Sequence, residues 1–246
     1  MSHDAPTAPA PVILVPGFWL GAWAWDEVVE ELRDAGVEAR ALTLPGLSPD
    51  ARNRGRVTME DHVAAIREAV EAAERPPVLV VHSGAGFPGY AVSDRVPDRI
   101  AAMVYVDTAP GVGAMNPEVQ GEEMPLDWEE LSAEENLDGL SPEQLQTFRD
   151  RAVPQPGAVV REGVTLSDDA RREVPTTIVC TSYSAAEYQQ YAAQEGMAWL
   201  AGIRELRDIT WVDLPTSHWP MWSRPGELAA IIADVARNAM AGRPTS

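Results

Sequence analysis

The chain has 246 residues, 45% of them hydrophobic, which suits one good-sized domain with a substantial core. Its formal net charge of −19 disfavours nucleic acid and acidic membranes as partners, and the absence of lysine excludes Schiff-base chemistry and a P-loop. Cys180 is the single cysteine, so an internal disulfide is excluded. The sequence contains no cluster of Cys and His residues of the kind that binds a metal. It also contains no apolar stretch as long as a membrane span.

The first ten residues precede any predicted element. Residues 1–10 lack the basic start and the apolar core of a signal peptide, so we expect a disordered tail on a cytoplasmic protein. After them, short apolar runs rich in β-branched residues predict strands. These runs cover residues 12–15, 37–44, 77–81, 100–107, 176–181 and 209–214.

Apolar residues at helical spacing predict helices between the strands. Thr58 is the predicted N-cap of a helix that carries His62 on its surface. Ser184 and Glu187 form a predicted capping box that opens a long helix. Further helices are expected around residues 25–32, 126–135, 142–151 and 228–235.

The alternation of strands and helices predicts the fold class. It indicates an α/β fold with a mostly parallel central sheet and helices on both faces. Residues 111–173 are rich in proline and glutamate and interrupt the alternation, so we expect a small helical cap there. The core is then formed by residues 11–110 and 174–241, and functional loops gather at the carboxyl ends of the strands.

One predicted strand ends abruptly in His82-Ser83-Gly84-Ala85-Gly86. The small residues suit a sharp turn into a helix, which exposes the hydroxyl of Ser83. The segment resembles the nucleophile elbow of α/β-hydrolases, with Ser83 as the nucleophile. It departs from the usual Gly-x-Ser-x-Gly pattern, because Val81 and Ala85 stand at the outer positions. His82 is expected to support the turn itself.

The same glycines allow a second interpretation. Residues 84–89 also form a G-x-G-x-x-G after a strand, and Asp107 ends the next apolar run. This spacing is typical of a dinucleotide-binding loop with a ribose-binding carboxylate. Such loops are expected in the first strand-helix-strand unit, however, and here two strands and two helices come first. The dinucleotide interpretation is therefore the lesser alternative.

The loop over residues 16–25 favours the hydrolase interpretation. Its Gly21-Ala22-Trp23 matches a segment of plant esterases and hydroxynitrile lyases, although Pro16 stands where those proteins have a histidine. The resemblance implies that the backbone N–H groups of Phe18 and Gly84 form an oxyanion hole. The alternative is an apolar loop that only packs its tryptophans.

The resemblance also implies a catalytic base and leaves the acid open. His218 lies between the last strand and the last helix, where α/β-hydrolases carry the base. The loop after the strand at 176–181 contains no aspartate, and its nearest carboxylate is Glu187. Some relatives instead take the acid from the end of the strand after the elbow helix, and Asp107 stands at that place, so we expect Asp107 to be the catalytic acid that orients His218. A third alternative is a dyad without an acid.

Together these features resemble the small esterase and hydroxynitrile lyase branch of the α/β-hydrolase superfamily. The resemblance implies a cofactor-free serine hydrolase that binds a small-molecule substrate, a neutral and bulky or aromatic ester or lactone. Its expected pocket residues are Trp19, Phe87, Trp128, Trp219 and Met221. The alternative functions are those of a lyase, a cyclase or a non-catalytic receptor. Whether the protein forms a homodimer is left open. Plant cyanohydrin lyases differ from this chain by a threonine at Gly17 and a lysine at Trp219.

Overall fold

The structure, a computed structural model, describes residues 8–194 and 197–241 and contains one central sheet. Its six strands lie in the order β2-β1-β3-β4-β7-β8, and every neighbouring pair is parallel. The strands are β1 (Val12–Val15), β2 (Ala39–Ala41), β3 (Val78–His82), β4 (Ala102–Val106), β7 (Thr176–Cys180) and β8 (Ile209–Asp213). A separate antiparallel pair is formed by β5 (Glu123–Met124) and β6 (Gln155–Pro156).

Helices connect the strands, as the alternation predicted. The α-helices are α1 (Asp26–Asp34), α2 (Met59–Glu71), α3 (Gly86–Arg95), α4 (Trp128–Glu134), α5 (Pro142–Arg151), α6 (Gly157–Arg161), α7 (Ala185–Ala192), α8 (Pro220–Ser223) and α9 (Pro225–Ala241). Short 3₁₀ helices cover Ala22–Trp25, Arg54–Arg56, Ser83–Ala85, Pro97–Arg99, Asp169–Glu173 and Ala198–Glu205. None of the helices in the described part of the chain is both long and apolar enough to cross a membrane.

The sheet separates two apolar cores because side chains of a strand point alternately to its two faces. In β3, Val78 and Val80 belong to the core that contains α1 and α9. Leu79 and Val81 belong to the other core, which contains α2, α3 and α7. Since both faces are covered, the α/β fold with a parallel sheet is confirmed.

Three local predictions need correction. β2 is shorter than predicted: Val37 still belongs to the turn after α1, where its N–H donates to the Leu32 carbonyl, and only Ala39–Ala41 pair with β1. The helix after the Ser184 capping box is not long: α7 has 8 residues, and the chain continues as a separate 3₁₀ helix. Of the predicted tail, residues 1–7 lie outside the described residues, whereas Ala10 is buried and its N–H donates to the Ala236 carbonyl.

His62 is not on the surface of its helix, as the sequence predicted. Its side chain is buried on α2, and its Nε2 donates to the Pro45 carbonyl over 2.9 Å. Burial lowers the pKa of His62 to about 4, because a charged imidazolium is poorly solvated there. The neutral ring therefore ties α2 to the loop that follows β2.

Residues 111–173, which we call the cap, are inserted between β4 and β7. They contain α4, α5, α6 and the β5–β6 pair. Asp127 accepts hydrogen bonds from two N–H groups at the start of α4, and Ser141 forms a capping box with Gln144 on α5. Side chains of the cap and side chains at the carboxyl ends of β3 and β8 line a common cavity.

Candidate active site

Ser83 leaves β3 in a strained backbone conformation. Its φ is 51°, in the left-handed region that side-chain-bearing residues seldom adopt. A 3₁₀ turn at Ser83–Ala85 follows at once and leads into α3. In the described part of the chain, Ser83 Oγ has no hydrogen-bond partner, and the residue lines the cavity. This strand-turn-helix geometry is that of the elbow that the sequence predicted.

The missing glycine before the serine is compensated by the helix. A Cβ atom added at Gly89 of α3 would lie 2.6 Å from Val81 Cγ1. The space that the elbow needs is therefore provided by a glycine on the helix side rather than on the strand side. Gly86 is equally confined, because its added Cβ would lie 2.5 Å from the Ala109 carbonyl oxygen. The space beside Gly86 is therefore filled by the chain that follows β4.

The loop after β1 packs directly on the elbow. The Phe18 ring covers Gly84 so closely that a Cβ added there would lie 2.3 Å from a ring carbon. Gly84 is in the first turn of the 3₁₀ helix, where N–H groups have no acceptor within the helix. The structure therefore brings together the two residues whose N–H groups were predicted to form the oxyanion hole.

Trp19, the next residue of this loop, is held by the cap. Its φ is 64°, another left-handed value. The Trp19 N–H donates to Gln155 Oε1 over 3.3 Å, and the Trp19 carbonyl accepts from the Val153 N–H over 3.0 Å. The indole Nε1 donates to the Met124 carbonyl over 3.0 Å. Two segments of the cap, at Met124 and at residues 153–155, thus hold the residue that follows Phe18.

Asp107 reaches His218 from the strand next to the elbow. His82 of β3 is paired with Val106 of β4 in the parallel register of these strands. Ser83 and Asp107, the residues that follow them, therefore leave the sheet next to each other. Asp107 also has a left-handed φ, of 44°. Its Oδ2 accepts a hydrogen bond from His218 Nδ1 over 2.6 Å. This contact leaves no free carboxylate for a ribose.

The Asp107 carboxylate accepts several other hydrogen bonds. Oδ1 accepts from the Thr181 N–H, the Ser182 N–H and the Tyr188 hydroxyl, and Oδ2 accepts from Ser182 Oγ. Burial works against the charge of Asp107, but hydrogen bonds from His218 and Ser182 outweigh it and lower the pKa of Asp107. Ser182 and Tyr188 follow Asp107 by 75 and 81 positions in the sequence, so no local pattern indicated that they contact it.

The His218 backbone is fixed on both sides. Its N–H donates to the Asn136 carbonyl over 2.8 Å, and its carbonyl accepts from His82 Nε2 over 2.7 Å. Burial keeps the pKa of His82 well below its ordinary value, so this ring is neutral. His82 therefore supports the His218 loop, whereas the sequence suggested that it supports its own turn. With Nδ1 donating to Asp107, Nε2 is the basic nitrogen of His218.

The pKa of His218 is raised above its ordinary value. Burial opposes the positive charge, but the hydrogen bond to Asp107 and the negative charges of Glu135 and Asp107 outweigh that effect. Glu187 takes no part in this arrangement. Its Oε2 accepts from the Ser184 N–H over 2.8 Å, which completes the capping box at the start of α7.

The cavity above Ser83 has a volume of about 270 Å³. Its walls combine aromatic and aliphatic side chains with carboxylates, and Trp19, Trp219, Ser83 and His218 are among its lining residues. The cap contributes Met115, Asn116, Met124, Pro125, Asp127, Glu130, Leu131, Glu134, Glu135 and Val160. A larger groove lies between β8 and α9, but it contains none of the predicted site residues.

Three predicted pocket residues do not line this cavity. Phe87 is buried behind the elbow, where it packs with Met59 and Val159. Met221 is fully buried in the core that contains α9. Trp128 packs edge-on against Phe148 with their ring centres 5.9 Å apart, inside the cap. Hydrophobicity alone therefore identified buried residues, but it did not indicate which of them face the cavity.

Comparisons with known proteins agree with this architecture. A family described as the alpha/beta hydrolase family matches residues 12–231. A rice protein, Esterase PIR7B from Oryza sativa subsp. japonica, is 40% identical over 106 residues, and the match covers 41% of this chain and 40% of that protein. Methylesterase 7 from Arabidopsis thaliana is 24% identical over 259 residues, covering 91% of this chain and 95% of that protein.

A solved structure supports the fold over nearly the whole chain. It is an extracellular alpha/beta-hydrolase from a Paenibacillus species, with a TM-score of 0.74 and 20% sequence identity. The superposition covers 93% of this chain and 100% of the other. With the six-stranded parallel sheet and the elbow at Ser83, the family match over residues 12–231 shows that this chain belongs to the alpha/beta hydrolase family.

Proposed function

We propose that the protein is a cofactor-free serine hydrolase that cleaves a neutral ester or lactone through an acyl-enzyme. The observation that carries the proposal is the 2.6 Å contact between His218 Nδ1 and Asp107 Oδ2, beside a cavity that Ser83 also lines. The esterase relatives support the same reaction class, although the rice protein matches over only 40% of its length.

In the proposed reaction, Ser83 Oγ attacks the carbonyl carbon of the ester and transfers its proton to His218 Nε2. Asp107 stabilises the resulting imidazolium. The Phe18 and Gly84 N–H groups bind the negative oxygen of the tetrahedral intermediate. The intermediate collapses, and the leaving alcohol takes the proton from His218. Water then transfers a proton to His218 Nε2 and attacks the acyl carbon. The bond to Ser83 Oγ breaks, Ser83 takes the proton back from His218, and the carboxylic acid is released.

The walls of the cavity support a bulky, uncharged substrate. Trp19 and Trp219 line the same cavity as Ser83, and an apolar wall of this kind suits an aromatic or otherwise bulky group. Asp127, Glu130 and Glu134 line the same cavity and repel an anionic substrate. A neutral ester or lactone with an apolar body fits both properties, and it would be this protein's small-molecule partner.

The space at Gly17 supports a hydrolase rather than a cyanohydrin lyase. A Cβ added at Gly17 would lie 2.8 Å from Ser83 Cβ and 2.9 Å from His82 Nδ1. The threonine that the plant lyases carry at this position needs more space than a Cβ alone. Lyase activity of that type would therefore require a different placement of the loop after β1.

The proposal is tested with a serine-selective fluorophosphonate probe and a panel of substrates. We expect the probe to label Ser83, as identified by peptide mass spectrometry, and the protein to hydrolyse p-nitrophenyl esters at neutral pH. The panel also contains lactones and cyanohydrins. A folded protein that the probe does not label would contradict a serine nucleophile. Cleavage of cyanohydrins without any ester hydrolysis would favour a lyase.

Replacing Gly17 with alanine is expected to lower kcat/KM for esters about 100-fold, because the added methyl group must displace the elbow or the oxyanion loop, and small misplacements are costly. Steady-state kinetics measure the loss, and circular dichroism verifies the fold. Gly226→Ala is the matched control, since its added Cβ would meet Glu31 at an ordinary 3.8 Å. Wild-type turnover in a folded Gly17→Ala protein would show that the loop does not need this space.

A further inference from the structure

A second carboxylate lies beside the imidazole of His218. Glu135, the residue after α4, places its Oε2 3.6 Å from His218 Nδ1, the nitrogen that donates to Asp107. Its side chain is 39% exposed and lines the cavity. Within the described residues, His218 is its only ionic partner. The proposed reaction as written above makes no use of this carboxylate.

The backbone on both sides of Glu135 is fixed. The Glu135 N–H donates to the Leu131 carbonyl over 2.9 Å, which ends α4. The next residue, Asn136, accepts the His218 N–H with its carbonyl and donates its Nδ2 to the Thr216 carbonyl over 2.9 Å. The cap and the His218 loop are therefore joined directly at this point, and Glu135 is held close to the ring.

The contact is one of charge rather than of hydrogen bonding. At 3.6 Å from Nδ1, Glu135 Oε2 does not compete for the Nδ1 proton with Asp107 Oδ2, which lies 2.6 Å from the same nitrogen. Among the residues that the structure describes, the other titratable group against the ring is His82 of β3, which burial keeps neutral. Glu135 and Asp107 are therefore the two negative charges next to His218.

We propose that Glu135 is a positioning residue, which acts through His218 by holding the Nδ1 side of the imidazole towards Asp107 and by favouring its protonated form. This inference rests on the proposed function, in which His218 becomes an imidazolium as Ser83 attacks. It gives the cap a part in the chemistry, because the cap supplies one of the two charges that stabilise this imidazolium.

The test compares wild type with Glu135→Gln, Glu135→Asp and a matched control, Glu129→Gln. Glu129 is an exposed residue of α4 that does not line the cavity. Two quantities are measured: the pKa of His218 from an NMR titration of the imidazole signals, and the acid limb of the kcat/KM profile for a p-nitrophenyl ester. The chain has only 4 histidines, and a His218→Asn variant assigns the signal.

In Glu135→Gln we expect the pKa of His218 to fall by about half a pH unit or more, and the acid limb to move to lower pH by the same amount. The sign follows from the lost negative charge, without which the imidazolium releases its proton more readily. Glu135→Asp should retain most of the wild-type value, and Glu129→Gln all of it.

An unchanged titration of His218 in folded Glu135→Gln would overturn the inference. Because NMR observes the ring without turnover, failure of the proposed function can be told apart from failure of this inference. A shifted pKa in a protein that cleaves no ester would support the role of Glu135 and contradict the hydrolase. An unshifted pKa in an active esterase would contradict Glu135 alone.

Discussion

Ser83→Ala is expected to lower kcat for ester hydrolysis by roughly 10⁴-fold or more, because the variant has no nucleophile and only the oxyanion donors and the cavity can still act. Stopped-flow kinetics with a p-nitrophenyl ester measure the loss. In the wild type the same experiment should show a burst of p-nitrophenol. Mass spectrometry of quenched wild-type protein should find the acyl group on the peptide that contains Ser83.

The control for this variant is Ser132→Ala. Ser132 lies on the exposed side of α4, where its Oγ donates to the Glu129 carbonyl, and it does not line the cavity. Its removal should leave both the burst and kcat unchanged. If Ser83→Ala kept ester turnover near the wild-type rate, hydrolysis would have to proceed without an acyl-enzyme at this residue. The elbow would then have only a structural role.

Asp107→Asn is expected to lower kcat about 1,000-fold or more. The hydrogen bonds around the carboxylate give the reason. Oδ1 accepts from Thr181, Ser182 and Tyr188, so an asparagine would keep its carbonyl oxygen at that position. Its NH₂ group would then face His218 Nδ1 and donate to it. The imidazole proton would move to Nε2, the nitrogen that must accept the proton of Ser83.

Glu187→Gln tests the other acid that the sequence left open. Glu187 is exposed and completes the capping box of α7, so its replacement should lower the melting temperature slightly and leave kcat unchanged. Steady-state kinetics and thermal unfolding of both variants give the comparison. Near-normal turnover in Asp107→Asn, or a large loss in Glu187→Gln, would show that the acid is assigned to the wrong residue.

The order of strands and helices was predictable because each element shows its own periodicity over a few residues. Ser83, Asp107 and His218 could be placed at one edge because the carboxyl ends of parallel strands meet there. Choosing Asp107 over Glu187 was harder. It was possible because Asp107 ends the strand next to the elbow and because Glu187 already has a task in its capping box. The register that pairs His82 with Val106 is given only by the structure.

The predictions that were wrong or missing depend on the direction of side chains and on contacts between residues distant in sequence. Phe87 and Met221 are as apolar as a pocket residue should be, but the rotation of their helices turns both into the core. Nothing in the sequence distinguishes Glu135 from the other glutamates of the cap. Its place beside His218 results from the backbone contact between Asn136 and His218, for which no local pattern exists.

The contacts between the cap and the site rely largely on main-chain atoms. The Asn136 carbonyl holds the His218 N–H, the Val153 N–H holds the Trp19 carbonyl, and the Met124 carbonyl holds the Trp19 indole. Every residue type except proline has both a backbone N–H and a backbone carbonyl. Mutational drift can therefore replace the side chains at Met124 and Val153 while their attachments persist, whereas Asn136 also donates its Nδ2 to the Thr216 carbonyl. Side chains of the cap that line the cavity are thus free to diversify while the backbone contacts to Trp19 and His218 stay the same.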